Sequence, residues 1–156
     1  MKIIIEGCDG SGKSTLARRL AGIFNAKIEH DSIPCDLDNY ISRLESPENT
    51  IYDRFFLGQF VYNKPEERKL GYCDLSYLKE YCAKRPDVIL IYFDQDTDVI
   101  LERLSNRSEE EKIKDRKTMS LFGTNDPKEF VERIKKEYEI YSSGFIRLKG
   151  EDVIYE

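Results

Sequence analysis

The stretch Ile3-Ile4-Ile5-Glu6-Gly7-Cys8-Asp9-Gly10-Ser11-Gly12-Lys13-Ser14-Thr15 decides how the rest of the chain is read. A short apolar run closed by glycine reads as a buried strand over residues 2–5. Gly7 and Gly12 then bracket four residues, with Lys13 and Ser14 directly behind. This is the Walker A spacing. Glycines let such a loop curl until its N–H groups point inward at a polyanion. A helix beginning at the end of the loop adds the positive end of its dipole. Gly7, Asp9, Gly10, Ser11, Gly12, Lys13, Ser14 and Thr15 are therefore expected to cradle nucleotide phosphates. Within that cradle, Lys13 is expected to reach the β- and γ-phosphates and the Ser14 hydroxyl to bind Mg²⁺. The Cys8 side chain is expected only to pack.

Outward from the loop, strands alternate with helices. A helix is predicted from Lys13 to Phe24, with Leu16, Leu20 and Ile23/Phe24 on one face. Residues 26–30 read as a second strand, 36–46 as a modest helix ending before Pro47, and 50–52 as a third strand ending at Asp53-Arg54. An aromatic-rich helix follows through Phe56, Phe60 and Tyr62. Asp74 is expected to cap a helix that stops before Pro86. Val88-Ile89-Leu90-Ile91-Tyr92-Phe93 is the clearest strand, apolar on both faces as a central parallel strand should be. Residues 97–107 are predicted helical, with Asp96 or Thr97 as cap. Asp126-Pro127-Lys128-Glu129 is a strong helix start. That last helix should carry Phe130, Ile134, Tyr138 and Tyr141 as its apolar stripe, and the segment 145–156 one or two short strands. The expected fold is α/β: three layers, a mostly parallel five-stranded sheet flanked by helices, in a single domain over 1–156.

Composition narrows the function. The chain has 156 residues, 40% hydrophobic and 35% charged, a globular profile with room for a core. No apolar run approaches a bilayer span, and no leader is evident, so no membrane partner and a cytoplasmic location are expected. Four cysteines without a CxxC pair read as reduced thiols, and one histidine argues against a His-based metal site. Thirty acids against 25 bases give a net charge of −5, which disfavours a broad nucleic-acid surface. The bases Arg103, Arg107, Lys112, Lys114, Arg116 and Lys117 nevertheless crowd one polar stretch. That stretch, residues 105–125, has the look of a lid that excludes water during transfer.

Ligands in such folds sit at the carboxyl ends of the strands, where Gly7, Asp53 and Asp94 are all expected. Asp53 is placed to hold Mg²⁺ through water, and Arg54 to grip a second phosphate bidentately. Arg103 and Arg107 are the candidates for closing on the transferring phosphoryl group.

EGCDGSGKST, DRFFLGQFVYN and PDVILIYFDQDTDVILERLSNR resemble the thymidylate kinases. The resemblance implies a P-loop kinase using ATP and Mg²⁺ on a small nucleotide, and homodimers are usual in such families. Asp9 matches the loop acid near the acceptor's sugar, Asp53 and Arg54 the pair tied to Mg²⁺ and the acceptor phosphate, and Arg103 and Arg107 the lid arginines. Tyr62 matches a Tyr-Gln pair, with Asn63 in place of glutamine. The final helix, EFVERIKKEYEIY, is also similar. The chain departs from the family in being shorter between the Walker loop and Asp53, where IEHDSIP replaces an arginine-bearing segment.

A second resemblance, to the deoxynucleoside kinases, implies a catalytic carboxylate at the end of the second strand. Glu29 and Asp31 sit there. A hydroxyl acceptor must lose a proton, so it needs a general base, whereas a monophosphate offers an ionised oxygen. The leading expectation is phosphate transfer to a deoxynucleoside monophosphate, a dTMP-like pyrimidine favoured. The alternative is a hydroxyl acceptor, a deoxynucleoside or a 5′- or base hydroxyl on DNA, with Asp31 or Glu29 as base. A nucleotide switch or ATP-driven binding module is the reading from another class.

Overall fold

The structure, a computed structural model, describes residues 1–31 and 33–153. β1 (Lys2–Glu6) runs at the centre of a five-stranded sheet. Around it lie β2 (Lys27–His30), β3 (Thr50–Asp53), β4 (Val88–Asp94) and β5 (Ile146–Lys149), in the spatial order β2-β3-β1-β4-β5. Every pairing is parallel. β1 is buried along its whole length because helices cover both faces. Ile3 and Ile5 pack on one side with Leu16, Ala17, Ile51 and Phe93, while Ile4 faces the larger core on the other.

α1 (Lys13–Phe24) leaves the loop after β1 and supplies the first of these layers. α2 (Leu37–Glu45), α3 (Leu57–Tyr62), α4 (Tyr72–Ala83), α5 (Thr97–Ser105), α6 (Glu109–Leu121) and α7 (Pro127–Tyr141) complete the set. The second core gathers Tyr40, Phe55, Phe56, Leu78, Ile100, Ile134 and Tyr138 around Ile4 and Tyr52. Phe55, Phe56 and Phe60 are all buried there. The chain moves outward from β1 to β2, returns through β3, and then continues on the other side to β4. The loop after β1 therefore faces a topological switch point, the place where open α/β sheets bind ligands.

The sequence-derived elements recur, with local differences. Asp74 is not the cap: α4 begins two residues earlier, and the Asp74 carboxylate instead accepts the Gly71 N–H at 2.8 Å. α5 stops at Ser105 rather than Arg107, because Ser108 starts a new helix. The Ser108 hydroxyl accepts from Glu111 N–H, and the Glu111 carboxylate accepts from Ser108 N–H. This capping box turns much of the expected polar stretch into α6. Asp96 occupies the cap position of α5, yet its side chain makes no capping bond. Asp126 does cap α7, accepting from Lys128 N–H at 3.1 Å. One strand, β5, forms in the C-terminal segment, and residues 154–156 of that expected region lie outside the described residues.

Ile5 is fully buried at the hub of the sheet. Ile5→Ala is expected to cost about 2–5 kcal/mol, the range for deleting a buried isoleucine side chain. Urea denaturation of the two proteins measures it directly.

Candidate active site

The loop between β1 and α1 is shaped by two glycines at positive φ, Gly10 (82°) and Gly12 (100°). Gly12 is the residue before α1, so the helix opens onto the loop with no side chain capping its first amides. A ligand anion has free access to those donors. Around this mouth lies a cavity of about 260 Å³ lined by Gly10, Gly12, Lys13, Ser14, Thr15 and Arg103. Arg103 reaches in from α5 and donates to the Gly10 carbonyl at 3.3 Å. Gly7 could not carry a side chain, since a Cβ there would sit 2.7 Å from the Phe93 carbonyl oxygen. Cys8 is buried in the core, where desolvation pushes its thiol up to about 12. Ser11 is buried as well, and its hydroxyl has no hydrogen-bond partner among the described residues.

Lys13 lies between two carboxylates, 3.3 Å from Asp9 and 3.9 Å from Asp53. The Ser14 hydroxyl donates to Asp53 Oδ2. Asp53 is only 3% exposed and ends β3 beside the loop. A buried carboxylate beside a hydroxyl offers oxygen donors suited to a hard cation. Mg²⁺ usually takes one or two carboxylates and completes its shell with water and substrate phosphates. No cluster of three or more His, Cys, Asp or Glu ligands occurs among the described residues, so a dedicated all-protein metal cage is absent there.

Arg54 follows Asp53 in a left-handed conformation, φ 72°. Its N–H donates to the Ile5 carbonyl at 2.8 Å. Its stem crosses α3 at Gly58, where a Cβ would approach Arg54 Cδ to 2.7 Å. The guanidinium lies 4.4 Å from the centre of the Tyr62 ring and pairs with Asp9. Desolvation works against both charges of this pair, yet the mutual attraction prevails. Lys13 and Arg54 hold the Asp9 carboxyl well below its usual range, and Asp9 holds the Arg54 guanidinium above its own. The Tyr62 hydroxyl accepts the Asp9 N–H at 3.1 Å, tying the loop to α3.

A second cavity, about 180 Å³, brings together Asp9, Lys13, Ser14, His30, Asp31, Asp53 and Arg54. It adjoins a narrow cleft of about 20 Å³ lined by Asp31, Pro34, Phe55, Gln59 and Tyr62, among others. Asp31 thus stands in the site, but its oxygens are engaged: Oδ2 accepts from Tyr40 at 2.6 Å and Oδ1 from Arg43 at 2.9 Å. Glu29 is paired with Lys27 and Arg43. Arg107 lies elsewhere, bound to Glu111 at 3.1 Å and Asp115 at 3.4 Å on α6. Asp94 is tied to Arg147 and Lys135, a strand-end ion-pair cluster at the β4–β5 edge.

His30 carries no role in the sequence reading, yet its Nδ1 lies 3.3 Å from Asp53 Oδ2. The two residues are register partners across β2 and β3. Only the strand order reveals that pairing. Arg43 and Tyr40 were equally invisible, because their partner Asp31 follows β2 and meets α2 only in the folded chain.

A phosphate loop at the switch point, a lysine, a metal-competent carboxylate and a facing arginine together define a P-loop phosphotransferase. The thymidylate kinase family model matches residues 35–142, more than half of the chain, and the chain belongs to the thymidylate kinase family. That match begins beyond the phosphate loop, so loop and family support a nucleotide kinase independently. No curated protein matches the chain. The crystal structure of YorR from Bacillus subtilis, in complex with phosphorylated GDP, superposes with a TM-score of 0.67 at 22% identity, covering 96% of this chain and 84% of that one. Deoxyadenosine kinase from M. mycoides with bound dATP gives 0.61 at 19% identity, covering 99% and 93%. Shikimate kinase from Acinetobacter baumannii with shikimate gives 0.54 at 15%, covering 99% and 83%. These neighbours share the fold.

A Cβ on Gly12 would meet Arg103 Nη1 at 2.5 Å, at a φ that L-residues rarely adopt. Gly12→Ala should strain the loop by about 1–3 kcal/mol and displace Arg103. Calorimetric titration with a non-hydrolysable ATP analogue is expected to show at least about tenfold weaker binding.

Proposed function

We propose that the protein transfers the γ-phosphoryl group of ATP to a deoxynucleoside monophosphate. The observation that carries this reading is the occupation of Asp31 by Tyr40 and Arg43. A hydroxyl acceptor needs a base with a free oxygen aimed at it, and both oxygens of Asp31 are already held by other side chains. A monophosphate needs none. It needs a cation at its own phosphate, and Arg54 stands across the cavity from Lys13 for that purpose.

Residues 7–15 would hold the triphosphate through backbone N–H groups and Lys13. Ser14 and Asp53 would hold Mg²⁺, which supplies charge neutralisation on the bridging phosphate oxygens. An oxygen of the acceptor phosphate forms the new P–O bond as the bond to the leaving ADP breaks. Arg54 would orient the acceptor, and Arg103 would stabilise charge on the side of the loop. Arg107 would join only after it leaves Glu111 and Asp115, in a movement of the lid over residues 105–125. The single-domain organisation over 1–156 belongs to this same proposal.

A dTMP-like pyrimidine is the favoured base. The cleft beside Phe55, Gln59 and Tyr62 must widen to admit any ring, and a single ring demands less widening than a purine. The second reading, a hydroxyl acceptor served by Asp31, draws on the position of that carboxylate in the same cavity as Lys13 and Arg54.

Labelled ATP offered with monophosphates, nucleosides and short DNA tests the proposal. Transfer to dTMP or a close relative is expected, and transfer only to unphosphorylated nucleosides or to DNA would overturn it. Lys13→Ala should abolish transfer. Asp31→Asn should leave turnover within about threefold of the parent, and a severe loss would favour the hydroxyl reading.

A further inference from the structure

Glu6 is the last residue of β1, fully buried, and takes no part in the phosphate cradle. Its Oε2 accepts the Leu57 N–H at 2.6 Å. The Phe55 amide also faces this carboxylate. Its other oxygen, Oε1, has no hydrogen-bond partner among the described residues. Among the other buried polar atoms without a partner among the described residues are Arg54 Nε and the Tyr138 hydroxyl. The Tyr138 hydroxyl lies in the fields of both Glu6 and Arg54. Buried polar atoms without a partner are uncommon in a native core, and Glu6, Arg54 and Tyr138 each carry one.

The backbone around Arg54 explains the arrangement. Its own N–H is held by the Ile5 carbonyl, and the amides of Phe55 and Leu57 that follow it face Glu6. Consecutive residues of β1 thereby fix both flanks of a residue at φ 72°. A non-glycine residue persists in that region only when its surroundings impose it. The side chain then leaves over Gly58 toward Tyr62 and Asp9, which sets the direction of the guanidinium.

We propose that Glu6 is a positioning residue for acceptor binding: its ionised carboxylate holds the 54–57 turn, and through it Arg54, in the geometry that receives the acceptor's phosphate. This rests on the assignment of Arg54 to that phosphate.

The charged and titratable groups around Glu6 are Arg54 from the turn after β3, Lys13 from the start of α1, and Tyr138 from α7. Burial is the largest influence and pushes the Glu6 carboxyl up to about 7, with the two cations and the backbone amides opposing it. Protonation near neutrality would remove the charge that faces the amides and Arg54. The acceptor's own phosphate titrates near pH 6, so a comparison of variants is required rather than one profile.

The test measures KM for dTMP and for ATP between about pH 6 and 8.5 in the parent and Glu6→Gln. At pH 8 the expected result is an acceptor KM raised about tenfold, with the ATP KM changed by less than about threefold. The acceptor KM of the parent should climb as pH falls through 7 more steeply than that of Glu6→Gln. Equal changes in both KM values, no change in either, or parallel pH profiles would overturn the proposal.

If Glu6→Gln does not fold, or if the parent does not phosphorylate a monophosphate, the Arg54 Nε–H resonance of the ¹⁵N-labelled parent decides. A shift with a midpoint near 7 supports the coupling to Glu6, and a resonance that does not move over that range overturns it. Because that measurement needs no acceptor, failure of the acceptor assignment and failure of the Glu6 role are told apart.

Discussion

The seating of β1 between β3 and β4 is the constraint from which the site follows. A strand buried on both faces and bonded on both edges has no freedom at its carboxyl end. The phosphate loop, the end of β3 and the turn into α3 are therefore fixed relative to one another before any ligand arrives. Pre-organised amides and charges lose little to reorganisation when a phosphate binds, which is where enzymes of this chemistry derive most of their advantage.

Electrostatics within that frame are arranged around a single loop carboxylate. Asp9 pairs with both Lys13 and Arg54 through the same oxygen, Oδ1, and so offsets the repulsion between two neighbouring cations. An incoming pair of phosphates would take over that role. Within the site the protein's own anions pair with its cations and donors: Asp9 with Arg54, and Asp53 with Lys13 and the Ser14 hydroxyl. The α6 helix repeats the pattern, with Glu111 and Asp115 holding Arg107 away from the loop.

The shortened segment between the Walker loop and β3 has a structural consequence. Tyr40 and Phe55 pack edge to face at 4.7 Å, and the Gln59 amide donates to Cys35 and Tyr40. Lys69 N–H donates back to that same amide oxygen. This part of the cleft is therefore built from polar groups that satisfy one another.

The sequence by itself determined the phosphate loop, the strand–helix alternation and most apolar stripes, each written within one element, although Ile23 and Phe24, expected on the apolar face of α1, are exposed. Gly12, Lys13 and Ser14 act through local backbone geometry, and Ile3 to Ile5 through a period that needs no partner to be read. Tertiary structure alone decided which charges meet. His30 reaches Asp53 only because β2 lies beside β3, Asp31 is occupied only because α2 returns beneath it, and Glu6 faces α3 only because two strand ends converge. These pairs join residues from separate elements, so packing of the whole sheet fixes them, unlike the i,i+4 pairs Lys13–Asp9 and Arg107–Glu111.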